Sequence, residues 1–173
     1  LNFPYKRWYL VSIYGETGKP LINVKSKSVF ESIGMEGFVS LNFWDLDEKY
    51  YLSIKEQHPE ATLFNKGHAS KIISLLDKAQ KDKKDSNLVI HCQAGISRSG
   101  AVGTFACDYC GLDYSEFIKE NYGIQANQYV LNILRRKANL VPLGGKDNDG
   151  IDWEEIKRIS MDCYKSLISK QRI

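Results

Sequence analysis

The stretch VIHCQAGISRSG, residues 89–100, determines how the rest of this sequence is interpreted. It begins with apolar residues that are typical of a short buried strand, and it ends with Arg98, Ser99 and Gly100, which open a helix. A strand–loop–helix junction of this kind aims backbone N–H groups and the positive end of the helix at one point. The segment therefore predicts an anion-binding loop with Cys92 at its base.

Two side chains of this loop indicate which anion it binds and what happens to it. Arg98 can present two parallel N–H groups to two phosphate oxygens. A free cysteine has a pKa of about 8.5, and positive surroundings lower it to roughly 3.5–7.5, so Cys92 is expected to be a thiolate at neutral pH. A thiolate below a bound phosphorus can attack it in line, which predicts covalent catalysis through a cysteinyl-phosphate.

Five residues separate Cys92 from Arg98, with His91 before the cysteine and Ser99 after the arginine. This pattern resembles the signature of protein tyrosine phosphatases, and HCQAGISRS is most similar to the dual-specificity branch. The resemblance implies that Cys92 is the nucleophile, that Arg98 clamps phosphate and that Ser99 assists hydrolysis of the intermediate. His91 is expected to orient the loop rather than to transfer protons. The resemblance also implies that backbone amides of the loop bind the substrate's phosphate, namely those of Gln93, Ala94, Gly95, Ile96 and Ser97.

Expulsion of the leaving group requires a proton donor, which is typically worth about 10²–10⁴-fold in rate. In the family the donor is an aspartate that follows an upstream strand, and the segment SLNFWDLDEKYY offers Asp45 and Asp47. Asp45 follows the strand-like residues directly and is the better match, while Asp47 and Glu48 are the alternatives. The interval between Asp45 and Cys92 is longer than is usual in the animal enzymes. The extra length, residues 48–64, is either a substrate-facing flap or an exposed loop without a role.

The remaining sequence alternates between strand and helix patterns. Strands are predicted at residues 7–13, 37–45 and 88–90. A helix is predicted after Asn65, a suitable N-cap, and its apolar face consists of Ala69, Ile72, Ile73, Leu76 and Ala79. A turn is predicted at residues 15–20. Further helices are predicted at residues 29–33, 101–110 and 115–122, and from about residues 126 and 152.

This alternation predicts an α/β protein, with a central, mostly parallel sheet flanked by helices. A chain of 173 residues suffices for one domain with a sizeable core, so residues 1–173 are predicted to be a single phosphatase domain. The resemblance covers about residues 8–138 and implies the dual-specificity-like fold. At IQANQYVLNILRR it is similar to the family's PN-x-x-V element, with Ala126 in place of proline. Residues from about 139 to 173 are interpreted as an extra C-terminal helix.

Composition excludes several other classes of protein. A net charge of +3 without a clustered basic face argues against nucleic-acid binding, and the apolar runs are too short to cross a bilayer. No metal or other cofactor is expected, since zinc requires about four ligands at recognisable spacings. Cys107 and Cys110 lie one helical turn apart and are expected to pack in the core. The four cysteines do not form a disulfide pattern, which favours a reducing, cytoplasmic location.

The expected substrate is a phosphorylated protein. The compact size leaves little room for the deep pocket of tyrosine-only relatives, which favours phosphotyrosine with phosphoserine and phosphothreonine as further substrates. Phosphoinositide phosphatases of the superfamily often carry lysines in this loop, and this loop has none, so phosphoinositides and other small phosphomonoesters are the alternative. A phosphate-binding module without turnover is a third hypothesis, although such relatives usually lack the cysteine that Cys92 provides.

Overall fold

A computed structural model describes residues 7–15, 34–82 and 86–140, and these residues form three strands and five helices. The predicted turn at 15–20, the short helix at 29–33 and the C-terminal helix lie wholly or mostly outside the described residues. The strands are β1 (Arg7–Tyr14), β2 (Met35–Asn42) and β3 (Ser86–His91), and the helices are α1 (Glu48–Ile54), α2 (Lys66–Lys81), α3 (Arg98–Cys110), α4 (Tyr114–Glu120) and α5 (Gln128–Lys137).

The three strands form a parallel sheet in the order β2-β1-β3. Ser12 of β1 pairs with His91 of β3, and Tyr14 of β1 pairs with Asn42 of β2. Because parallel strands end at the same edge of a sheet, the residues that follow each of them converge there. That edge is where Cys92 and the segment after β2 lie.

Helix α2 covers the sheet with the apolar face that the sequence predicts. Asn65 caps it, because its side chain accepts hydrogen bonds from the backbone N–H groups of Gly67 and His68. Leu75 is buried in addition to the predicted residues, while Ile73 is only partly buried. The aromatic residues Phe43 and Phe64 join this core, with ring centroids 4.8 Å apart.

Helix α3 is buried along most of its length because its residues are small. A Cβ atom at Gly100 would come within 2.7 Å of Ile124, and one at Gly103 within 2.5 Å of Phe117. These glycines therefore let the chain after β3 pack closely. Cys107 and Cys110 are both buried in this helix, as expected for core residues.

Helix α1 was not predicted from the sequence, which indicated only an insertion at residues 48–64. It begins after Asp47, whose carboxylate accepts a hydrogen bond from the backbone N–H of Tyr50 at 2.7 Å. None of its residues is buried, and its seven residues are too few for the spacing of apolar residues to identify a helix.

The predicted α/β class, with a parallel sheet flanked by helices, is confirmed. Among the described residues, no helix combines the length and the apolar character that a bilayer crossing requires.

Candidate active site

The loop at residues 92–97 joins β3 to α3 at the carboxyl edge of the sheet. Gly95 has a φ of 73°, a left-handed conformation that residues with a Cβ atom adopt only at a cost. Gly95 and its neighbour Ala94 are small residues, which allows the backbone to close around an anion. Residues 93–96 are exposed at the rim, whereas Cys92 at the base is only 6% exposed.

Cys92 has the surroundings of a stabilised thiolate. Burial acts to raise the pKa of its thiol, but hydrogen bonds from the Ser99 hydroxyl and from the amides of Ser99 and Gly95, together with the charge of Arg98, outweigh it and lower the pKa. The Cys92 Sγ lies 3.2 Å from the Ser99 Oγ. At Cys107, which lacks such hydrogen bonds among the described residues, burial is the largest cause of a thiol pKa raised to about 11. The hydrogen bonds to the sulfur and the charge of Arg98, not burial, therefore distinguish Cys92 from Cys107.

Arg98 is a buried cation, only 4% exposed, at the start of α3. Its Nη1 donates to the carbonyl oxygen of Phe43 at 3.1 Å, while its Nε has no hydrogen-bond partner among the described residues. Within residues 7–15, 34–82 and 86–140, no carboxylate forms an ion pair with it. A buried guanidinium is costly unless an anion compensates its charge. The site is therefore electrostatically prepared for a negatively charged ligand.

Asp45 lies three residues after β2, half-buried, and contacts the phosphate loop. Its Oδ1 accepts hydrogen bonds from the Ser97 Oγ and from the Asn127 Nδ2, both at 2.8 Å. Both donors bind the same oxygen, which leaves Oδ2 for other contacts. Asp47 is exposed and accepts a hydrogen bond from the backbone of Tyr50 in helix α1. Of the two predicted aspartates, Asp45 contacts the loop, whereas Asp47 caps helix α1.

Residues 125–127 support the loop from its outer side. The backbone N–H of Gln125 donates to the carbonyl of Ile96 at 3.3 Å, and that of Asn127 donates to the carbonyl of Ser97 at 3.2 Å. Asn127 also caps α5, since its side-chain oxygen accepts from the Val130 N–H at 3.0 Å. Asn127 thus connects three parts of the site: its side chain contacts Asp45 and caps α5, and its backbone N–H contacts the loop.

Residues 45–61 form a loop whose two ends lie next to each other. The backbone N–H of Trp44 donates to the carbonyl of Thr62 at 2.8 Å, which joins the ends, and α1 lies within the loop. His58 lies in this segment, and its ring centroid is 5.5 Å from that of Trp44 at the base. The hydrogen bond between Trp44 and Thr62 therefore anchors this loop beside Asp45.

Asn127 and the Phe43 carbonyl are two groups of the site whose roles the sequence does not predict. Asn127 lay within the ANQYV element that was singled out by resemblance, so a signal existed, but its contact with Asp45 spans the chain. The Phe43 carbonyl had no signal, because any residue supplies one. His91 lies half-buried at the end of β3, and its Nε2 has no hydrogen-bond partner among the described residues. A role in orienting the loop remains a prediction.

Comparison with known proteins gives one family. The model of the protein-tyrosine phosphatase family matches residues 57–142, a range that contains Cys92, Arg98 and Asn127. Asp45 lies outside the matched range. No curated protein and no solved structure gives a significant match.

Proposed function

The chain belongs to the cysteine-dependent protein-tyrosine phosphatase superfamily, and we propose that it hydrolyses phosphomonoesters through a cysteinyl-phosphate on Cys92. The observation that carries the proposal is the pairing of a thiol of lowered pKa with a buried arginine that forms no ion pair with a carboxylate among the described residues. A dianionic phosphate satisfies the arginine and places its phosphorus above the thiolate. The contact with Arg98 that binds the phosphate therefore also aligns it for attack by Cys92.

In the first step the Cys92 Sγ attacks phosphorus, the S–P bond forms and the bond from phosphorus to the substrate oxygen breaks. The phosphate oxygens are held by the amides of residues 93–97 and by the Arg98 guanidinium, whose unpartnered Nε is available to one of them. Fixed N–H donors that face the developing charge need no reorganisation during the reaction.

Asp45 is the proposed proton donor. With Oδ1 held by Ser97 and Asn127, a proton on Oδ2 is free to pass to the leaving oxygen as the ester bond breaks. In the second step the same carboxylate takes a proton from water as the water oxygen attacks phosphorus and the S–P bond breaks. The Ser99 hydroxyl, 3.2 Å from the sulfur, stabilises the departing thiolate.

The proposed substrate is phosphotyrosine in proteins, with phosphoserine and phosphothreonine as further substrates. Membership of the family supports phosphorylated proteins as the general class. The finer preference is supported by the exposed rim at residues 93–96 and by a loop without a lysine to meet additional phosphate groups. A reducing, cytoplasmic location is proposed with it, since the nucleophile must remain a free thiol.

A substrate panel tests this function. We expect the purified protein to hydrolyse p-nitrophenyl phosphate and a phosphotyrosine peptide, and the same peptide bearing phosphoserine or phosphothreonine more slowly. Acid quenching during turnover of a ³²P-labelled substrate should trap label on the peptide that contains Cys92. A faster reaction on a phosphoinositide would reassign the substrate. Binding of the phosphopeptide without release of phosphate would indicate a binding module.

A further inference from the structure

Gly15 lies directly after β1, where the chain passes the base of the site. Ser12 of β1 pairs with His91 beside Cys92, and the Tyr14 carbonyl accepts a hydrogen bond from the Phe43 N–H at 3.0 Å. Gly15 is therefore adjacent to the Phe43 carbonyl to which Arg98 donates. It is buried; the sequence predicts only that a turn begins at Gly15, and the family match begins at residue 57.

The space at Gly15 is filled by the arginine. A Cβ atom built there would lie 2.5 Å from the Arg98 Nη1, 2.6 Å from the Phe43 carbonyl oxygen and 3.3 Å from the Phe43 carbonyl carbon. Gly15 is not among the glycines with positive φ, so the requirement for glycine comes from this close approach and not from the backbone conformation.

We propose that Gly15 is a positioning residue for Arg98. This proposal rests on the proposed phosphatase function, in which the guanidinium binds the substrate's phosphate. The bare Cα of Gly15 and the Phe43 carbonyl together form the surface against which the guanidinium lies. An added methyl would displace the guanidinium, which ends a flexible side chain, and would also press on the Phe43 carbonyl oxygen 2.6 Å away, so both halves of the Arg98–Phe43 hydrogen bond are disturbed. A shifted guanidinium loses its bond to Phe43 and its alignment with two phosphate oxygens.

The direct test is the Gly15→Ala variant with p-nitrophenyl phosphate as substrate and tungstate as a phosphate-like competitive inhibitor. We expect kcat/KM to fall about 10- to 100-fold, the range for losing one hydrogen bond to a charged group, and the tungstate inhibition constant to rise in parallel. A general loss of stability would lower the fraction of folded protein and leave the inhibition constant unchanged.

Gly37→Ala is the matched control. A Cβ atom at Gly37 would also meet a neighbour at 2.5 Å, but this neighbour is the Leu75 side chain in the core. Gly37 lies six residues before Phe43 along an extended segment, roughly 20 Å from it at about 3.3 Å per residue. We expect Gly37→Ala to lower the melting temperature without changing the tungstate inhibition constant. Equal tungstate constants in the two glycine variants would overturn the proposal.

A double-mutant cycle tests whether Gly15 acts through the guanidinium. Lysine has no Nη1, so Gly15→Ala should cost much less activity in an Arg98→Lys background than in the wild type. The same fold-loss in both backgrounds would overturn the proposal. If Gly15→Ala is too unstable to assay, its cost in melting temperature should shrink in an Arg98→Ala background, and an undiminished cost would overturn the proposal.

The role of Gly15 and the phosphatase function can fail independently of each other. A wild type that hydrolyses none of the phosphate esters contradicts the function. Calorimetric binding of tungstate to wild type and Gly15→Ala then still tests the positioning of Arg98. A wild type that is active, with Gly15→Ala equally active, contradicts only the role of Gly15.

Discussion

The phosphate loop, residues 92–97, and the aspartate-bearing segment, residues 43–47, form the two halves of the site by different means. The loop is local, because its conformation follows from a strand, a left-handed glycine and a helix that are consecutive in sequence. The aspartate segment depends on partners far along the chain, since Asp45 is held by Ser97 and Asn127. Changes elsewhere in the chain should therefore disturb the conformation of the loop less than the placement of Asp45, which should weaken when either distant partner is lost.

The largest loss of activity is expected for a substitution in the phosphate loop. Cys92→Ser should lower kcat on p-nitrophenyl phosphate on the order of 10⁴-fold or more, because the nucleophile is removed. Tungstate binding should persist in this variant, since the amides and Arg98 remain. Substantial turnover by Cys92→Ser would contradict covalent catalysis by this residue and with it the central role of the loop.

Asp45→Asn is expected to lower kcat about 10²–10⁴-fold, because it removes the proposed proton donor while keeping most of the side chain's shape. The effect should be much smaller on a substrate whose leaving group needs no proton, such as a dinitrophenyl phosphate. Asp47→Asn is the control, because asparagine can still cap α1. A slow Asp47→Asn beside a normal Asp45→Asn would exchange the two assignments.

Ser99→Ala tests the electrostatics of the loop alone. Loss of a hydrogen bond to the sulfur should lower kcat about 10- to 100-fold and raise the pKa of Cys92. Because the thiolate is the reactive form, alkylation of wild-type Cys92 by iodoacetamide should decline only as pH falls through its lowered pKa. In Ser99→Ala this decline should begin at higher pH. Identical profiles in the two proteins would contradict the role of the hydroxyl.

Asn127→Ser separates the two tasks of Asn127 and should have the smallest effect on rate. Serine still caps α5 but is too short to reach Asp45, so the melting temperature should be nearly unchanged while kcat falls about tenfold. Asp113→Ala, which removes the cap of α4, is the reverse control, with a loss of about 1 kcal/mol of stability and normal activity. An unchanged kcat in Asn127→Ser would mean that Ser97 alone suffices to place Asp45.

Much of the fold was predictable because its signals are short-range. The apolar face of α2 and its Asn65 cap, the β-branched strand β1 and the small-residue helix α3 all follow from patterns within a dozen or so residues. Helix α1 is not predicted because its seven residues are too few for an apolar periodicity to be recognised. The order β2-β1-β3 was not predicted, since strand pairing is decided by packing between segments distant in sequence.

The anion-binding loop could be predicted from the sequence alone, because the strand, the small loop residues and the helix start that build it are consecutive, and the spacing of Cys92 and Arg98 places both at one point. The arrangement of the other side of the site is visible only in the folded chain, where Asp45 contacts the loop while Asp47 caps a helix. The tertiary structure also places the bare Cα of Gly15 beside the guanidinium. The physical reason is that hydrogen bonds and steric contacts between chain-distant residues depend on how the strands align, and no local pattern records that alignment.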